Sequence, residues 1–441
     1  MKNMMAALCA LLLAAADAGA VVLDASPAEQ FFDALLARDF EKANIALDDK
    51  MRLAMNGGKL ERLWLEFRTY TGHCREKLPS TMSLQDTYVI TVVGCKFDNG
   101  KFRVKLATDQ TGKISGMYFL PPDTPPYKAP PYGPRSEDFR EEEVQVGTAP
   151  WALRGTFTAP KGDGPFPVVV LVHGSGPQDR DETIGPNKPF KDIALGLASL
   201  GIASLRYDKR TLVYARETQA AAKAFTPMEE TVDDAIAAVQ KAKRASVADP
   251  GRIFLAGHSF GAGMAPLIAS KAGGIAGLIL LAPSAAPLED ELVRQIAYLA
   301  QLDDDVSEQE QSAISKVREQ AAMVKSAALS PDTPTDMLPM GIGGSYWLFL
   351  RSYDPLKAAS DFQGPIMVMR GDRDYQTTKD DFNAYRKLLK KRKNTSFVEF
   401  KGLNHLFMKG KGPCDPQEYT VQGSVEEDVI DTIASWVLAR K

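Results

Sequence analysis

The stretch "RIFLAGHSFGAG", residues 252–263, sets Ser259 between glycines in the pattern G-x-S-x-G. A serine hydroxyl is a weak nucleophile at its own pKa and needs a neighbouring base. Held up on a tight turn between a strand and a helix, it can attack an acyl carbon. Gly257, Gly261 and Gly263 offer the backbone freedom such a turn asks for. Ordinary glycine and serine usage produces this pattern by chance on the order of 0.1 times in a chain of this length. Context therefore decides, and the context is an apolar run before the motif and "AGMAPLIASKAG", with helical character, after it.

A base is found by elimination among the four histidines. His73 lies in a separate N-terminal region. His258 adjoins Ser259 on the same turn, so its side chain points away from the attack face. His173 precedes "GSG" at the end of an earlier apolar run. His405, in "KGLNHLF", remains, in a loop that can reach back to the serine. The base needs an acid to fix its tautomer, and "PIMVMRGDRDYQ" offers Asp372 and Asp374. Asp374, three residues past Gly371, is preferred, while Asp372 suits a turn. The order Ser…Asp…His then follows. Negative charge on a tetrahedral intermediate needs backbone donors. The N–H of Phe260 is one candidate, and the N–H of Ser175 in "LVHGSGPQD", or else of Gly176, is the other. No His/Cys cluster has metal-ligand spacing, so neither a metal nor a cofactor is expected.

The elements that must position these groups are legible from Glu137 onward. Near-continuous apolar strands at 153–158, 166–172, 202–207, 253–257, 277–282, 365–370 and 396–400 alternate with helical stretches. Such alternation predicts a mostly parallel sheet with helices on both faces. The rhythm breaks over about 286–350, a long helical and polar interval expected to form a lid over the sheet's C-terminal edge. Its "GGSYWLFLRSY" segment places Tyr346 and Trp347 either against the acyl group of a substrate or in the lid's own core.

The N-terminal part reads differently. Residues 27–70 are helical in pattern, with Phe31, Phe32, Leu35 and Leu36 on one face, and from Met82 the period changes to that of strands. This is a small α+β domain over 25–120, followed by a proline-rich linker, 121–136, and a catalytic domain over 137–441. Residues 1–20 carry Lys2, an apolar run from Met4 to Ala16 and the small residues Ala18-Gly19-Ala20, the pattern of a secretory signal. The mature protein is expected to be exported, periplasmic or secreted. An oxidising compartment permits a Cys74–Cys95 disulfide, the alternative being two buried thiols. A formal net charge of −3 gives no reason to expect nucleic acid or a membrane as partner.

The stretches "HGSGPQDRDETIGPNKPFKDIA", "LRYDKR", "GHSFGAGMAP", "GDRDYQ" and "LNHLF" resemble exported bacterial α/β-hydrolases of the dienelactone-hydrolase and serine-aminopeptidase group, commonly called carboxylesterases. The resemblance spans about 140–441. More loosely, residues 25–120 are similar in order and length to cone-shaped domains of the nuclear-transport-factor-two type. By position the resemblance implies Ser259 as nucleophile, Asp374 as acid and His405 as base. It implies a small-molecule ester as substrate, with a peptide or amide as the alternative, while the N-terminal domain, open to polymer recognition, dimerisation or shielding the site, leaves a second copy of the chain as a candidate partner. The charged runs Asp179–Glu182 and Arg206–Arg210 also belong to the pattern, and are expected to form ion pairs that fix loops near the site.

Overall fold

The computed structural model describes residues 24–98, 100–120, 125–133, 138–302 and 306–440. The expected leader, 1–20, and parts of the linker, 121–124 and 134–136, lie outside the described residues. Two compact units are present, divided between Thr124 and Pro125.

In the first unit four helices (Ser26–Leu36, Phe40–Ala46, Asp49–Ala54 and Lys59–Thr71) precede an antiparallel meander. Its strands are β1 (Cys74–Gln85), β2 (Tyr88–Phe97), β3 (Gly100–Thr108) and β4 (Ile114–Phe119), in the order β1-β2-β3-β4. The period of two is strict on one face: Val93, Cys95 and Phe97 of β2 and Phe102, Val104 and Leu106 of β3 are buried against Phe31, Phe32, Leu35 and Trp64. A disulfide joins Cys74 to Cys95 across β1 and β2, with their Cα atoms 5.7 Å apart. Strand β1 begins eight residues before Met82, where the strand period first becomes legible. Its residues are mostly exposed, so no apolar alternation marks its first half.

The second unit is built on an eight-stranded sheet. After β5 (Phe139–Val146) and β6 (Leu153–Pro160) come β7 (Phe166–Val172), β8 (Ala203–Tyr207), β9 (Ala248–His258), β10 (Gly277–Leu281), β11 (Ile366–Gly371) and β12 (Thr395–Phe400). The order is β12-β11-β10-β9-β7-β8-β6-β5. Strands β7 to β12 pair in parallel, and β5 and β6 are joined on antiparallel. Side chains alternate between two cores. Val168, Val170, Ile253, Leu255, Leu278, Leu280, Ile366 and Val368 face helices Asp233–Lys243, Phe260–Ala272 and Lys379–Leu389. Val169, Leu171, Phe254, Ala256, Ile279, Leu281, Met367 and Met369 face helices Pro189–Ser199 and Glu427–Leu438.

Two departures from the sequence reading are physical. Residues 125–133 are not a free spacer: Tyr127 Oη donates to Asp192 at 2.7 Å and Tyr132 Oη to the Val425 carbonyl at 2.5 Å, which docks this proline-rich stretch on the second unit. The interval after β10 holds helices Leu288–Leu299, Glu308–Lys325, Gly344–Ser352 and Pro355–Asp361, so the helical insertion runs past residue 350 up to β11.

Candidate active site

The β9-to-helix turn is sharp because two glycines let backbones touch. A Cβ on Gly257 would collide with the Gly261 carbonyl, and one on Gly261 with the carbonyls of Val172 and His173. Gly263 has no such role, since the nearest group to a Cβ there is Pro355 at 3.9 Å. Ser259 itself takes φ 53° and ψ −119°, a conformation that costs a non-glycine residue about 1–3 kcal/mol. The strain is held by the Ser259 N–H donating to the Leu281 carbonyl of β10 at 2.8 Å. Phe260 opens the following helix, so its N–H has no acceptor within the helix.

Asp374 and His405, the acid and base expected from the sequence, lie on consecutive loops at the C-terminal ends of β11 and β12. His405 Nδ1 and Asp374 Oδ2 are 2.7 Å apart, both buried. Asp374 also accepts from the Gln376 and Thr377 amides at 2.8 and 3.0 Å and from the Thr377 hydroxyl at 2.6 Å. Burial alone would raise its carboxyl, but the His405 imidazole and these donors bring it below the usual carboxylate range. Asp372 is exposed and accepts from the Gly402 N–H at 2.7 Å, the turn role open to it in the sequence. Asn404 shapes the loop around His405: its Oδ1 accepts from the Leu406 and Met408 amides.

The "HGSG" loop after β7 lies against the elbow: a Cβ on Gly174 would sit 3.4 Å from Ser259 Cβ. Gly174 is pinned on both sides by buried charges. Its N–H donates to Glu182 Oε1 and its carbonyl accepts from Lys209 Nζ, each at 2.8 Å. The Gly174 N–H is thus occupied, and of the two residues that follow it Ser175 lines the cavity beside Ser259.

Sequence reasoning set His258 aside, and the structure gives it a partner on each side. Its Nε2 donates to the His405 carbonyl at 3.0 Å, and its Nδ1 lies 3.0 Å from Glu182 Oε2 as an ion pair rather than an in-line hydrogen bond. Burial alone would lower this imidazole, but the Glu182 charge raises it above its ordinary value. Burial would raise Glu182, and His258 instead holds it below its ordinary value. The charge patterning around 179–182 was the available signal. Arg180 pairs there with Asp208 at 2.9 Å and Asp181 with Arg206 at 2.8 Å, a network that fixes the loop carrying Glu182. His173 is buried and pushed down to about 4 by that burial, so it is neutral and its Nε2–H donates to the Asp179 carbonyl at 3.0 Å.

A cavity of about 430 Å³ opens on Ser175, Ser259 and Phe260. Met264, Leu288, Leu292, Leu350 and Leu356 are among the residues of its apolar wall. Gln295, Gln376 and Glu291 add polar groups, and burial pushes the Glu291 carboxyl up to about 8. Tyr346 and Trp347 do not line this cavity, and of the two placements the sequence left open Trp347 takes the one in the insertion's own core. Trp347 is fully buried in the lid core with Val324, Leu329 and Leu338. Tyr346 is buried too, its hydroxyl donating to Glu230 Oε2 at 2.5 Å and its ring stacked on Phe260. Helix 344–352 faces the cavity one turn later, through Leu350. Among the described residues no cluster of His, Cys, Asp or Glu could hold a metal ion.

Comparison with known proteins adds kinship to this geometry. Residues 169–411 match the alpha/beta hydrolase family, and residues 28–117 match a family described as a protein of unknown function (DUF3887). Over 410 residues the chain is 35% identical to Esterase EstD of Thermotoga maritima, a match covering 92% of this chain and 94% of that one. Among solved structures, Est1E from Butyrivibrio proteoclasticus is similar at 17% identity and a TM-score of 0.43, with 68% of this chain and 99% of that chain covered. An esterase from Pyrococcus furiosus is similar at 16% identity and a TM-score of 0.45, with 72% of this chain and 97% of that chain covered.

Proposed function

Because the chain belongs to the alpha/beta hydrolase family, we propose that it is a serine esterase with Ser259 as nucleophile, His405 as base and Asp374 as the acid that orients it. Ser259 Oγ attacks the ester carbonyl carbon while its proton passes to His405 Nε2. The N–H groups of Phe260 and Ser175 receive the oxyanion. Collapse of the tetrahedral intermediate breaks the C–O bond, and the departing alkoxide takes the proton from His405. A water molecule, deprotonated by His405, then attacks the acyl-enzyme and releases the carboxylic acid, returning the proton to Ser259. Asp374 stays ionised throughout, stabilising the imidazolium at each stage.

The observation that carries this reading is the buried Asp374–His405 hydrogen bond of 2.7 Å on the loops beside a strained serine elbow. Kinship to Esterase EstD supports esters over the amide alternative. The apolar cavity wall suits a small-molecule ester with a hydrocarbon acyl or alcohol group. Activity outside the cytoplasm belongs to the same proposal, supported by the leader pattern of residues 1–20 and by the Cys74–Cys95 bridge.

The test is hydrolysis of p-nitrophenyl acetate, butyrate and octanoate beside a panel of amino-acid anilides. Wild type should turn over the esters, and Ser259→Ala should lose ~10³-fold or more of kcat. Anilide cleavage exceeding ester cleavage would move the reading to a peptidase. A fully active Ser259→Ala would remove the serine mechanism altogether.

A further inference from the structure

We propose that Lys209 is a positioning residue for the oxyanion donor, acting through the Gly174–Ser175 peptide, and that Tyr346 of the lid insertion holds Lys209 in place through Glu230. The proposal rests on the reading of the Ser175 N–H as an oxyanion donor.

The argument begins with one peptide plane. In a trans peptide the carbonyl of one residue and the N–H of the next point in opposite directions within a single rigid plane. The Gly174–Ser175 bond is not among the cis bonds, which precede Pro150 and Pro165. Whatever fixes the Gly174 carbonyl therefore aims the Ser175 N–H. Lys209 Nζ donates to that carbonyl at 2.8 Å, and Lys209 is only 2% exposed. A buried ammonium at this distance makes a charge-assisted hydrogen bond. It also draws electron density toward the carbonyl oxygen, which makes the N–H at the other end of the plane a better donor. Without that anchor the peptide could rotate, since a glycine resists reorientation less than any other residue.

Lys209 is itself placed by a chain of contacts that ends in the lid. Its Nζ is 2.6 Å from Glu230 Oε1, and Glu230 Oε2 accepts from Tyr346 at 2.5 Å. Glu230 sits in a π-helical turn, Met228–Val232, which opens helix Asp233–Lys243. Such turns are rare and frequent at functional sites. Tyr346 belongs to helix Gly344–Ser352 of the insertion, and its ring stacks on Phe260 with centroids 6.3 Å apart. Both residues assigned as oxyanion donors are thus tied to Tyr346, Phe260 directly and Ser175 through Glu230 and Lys209. A buried lysine–glutamate pair is poor evidence of added stability, because desolvation offsets its Coulombic gain. Its position against the donor's own peptide gives it a use.

Lys209→Met keeps most of the length of the side chain and removes the charge. Against p-nitrophenyl butyrate it should lower kcat by about 10- to 100-fold, less than the ~10²–10³ lost with a whole oxyanion donor, and leave KM within about twofold. Binding of a phenylboronic acid, which forms a tetrahedral adduct on an active serine, should weaken by a similar factor. Lys209→Arg should restore part of both. Tyr346→Phe, which removes one hydroxyl and keeps the stacked ring, should show the same pattern at about three- to tenfold, and it carries the test if Lys209→Met does not fold. A raised KM with kcat unchanged, or a kcat loss without weaker boronate binding, would overturn the proposal. So would a Tyr346→Phe variant indistinguishable from wild type, for the lid's part in it. Ser259→Ala separates the two readings: if it stays active the esterase reading falls, whereas an inert Ser259→Ala beside a fully active Lys209→Met sinks only the role of Lys209.

Discussion

His258 stands one residue before Ser259, where its ring meets the Glu182 carboxylate and the His405 carbonyl. Because Glu182 also accepts from the Gly174 N–H, one buried ion pair ties the His405 loop to the loop assigned the oxyanion donor. The pair sets a pH dependence whose sign follows from linkage. His258 is raised in the folded state, so its contribution is complete below the unfolded value of about 6.5 and is lost as pH climbs through the higher folded value. Glu182 is lowered, so its contribution is complete above about 4.3 and is lost as pH falls through the lower folded value. Between these limits the pair holds both loops at full strength. Wild-type Tm should therefore fall as pH rises above about 6.5 by more than that of His258→Gln, which lacks the titration. The same variant should lose about tenfold in kcat at pH 6, an order-of-magnitude expectation for a displaced base. Parallel Tm–pH curves for the two proteins would show that His258 is not charged in the fold.

At the scale of elements, legibility followed burial. Strands β7, β10 and β11 were readable because each is buried on both faces and so written mostly in apolar residues, and the half-buried edge strand β12 through its Phe397, Val398 and Phe400. Strand β5, "FREEEVQV", was not, because as an edge strand it buries only Val146 fully. Its Glu141 and Glu143 instead pair with Arg206 and Arg180, partners that no local pattern announces. The alpha/beta hydrolase fold was therefore legible, and with it the places of Ser259, Asp374 and His405 after the ends of β9, β11 and β12. Lys209, Glu230 and Tyr346 were not, since three elements far apart in the chain bring them together. In the first unit β1 is the mirror case. It buries almost nothing and is held by its backbone pairing with β2 and by the Cys74–Cys95 bridge, 21 residues apart in sequence. A loop of that length stabilises by about 3 kcal/mol on the chain-entropy account. Cys74→Ser/Cys95→Ser should then lower the calorimetric transition of residues 25–120 by on the order of 10 °C, while ester turnover at 25 °C is unchanged. An unshifted transition would mean that β1 is held by its backbone pairing alone.

At the scale of the whole molecule, the thiols bear on the proposal that the chain works outside the cytoplasm. The oxidised pair lies in the first unit, and the remaining described cysteine, Cys414, is buried at 1% exposure. Burial pushes the Cys414 thiol up to about 11, so little thiolate is present to attack a disulfide. A bridged pair beside an inert odd thiol suits an oxidising environment, and in a reducing one the first unit would forgo its cross-link. The proposed export by residues 1–20 would join these observations to the leader pattern. Expressed in a bacterial host, the full chain should be recovered from the periplasm or medium with an intact mass lacking the first twenty residues or nearly so. Unfolded without reductant, it should then titrate one thiol, Cys414. A chain begun with a methionine in place of residues 1–20 should stay in the cytoplasm and titrate three, from Cys74, Cys95 and Cys414. Its first unit should melt at the lower temperature of the double serine variant. Recovery of the full chain from the cytoplasm at its uncleaved mass would overturn export, and with it the account of why the first unit carries a disulfide.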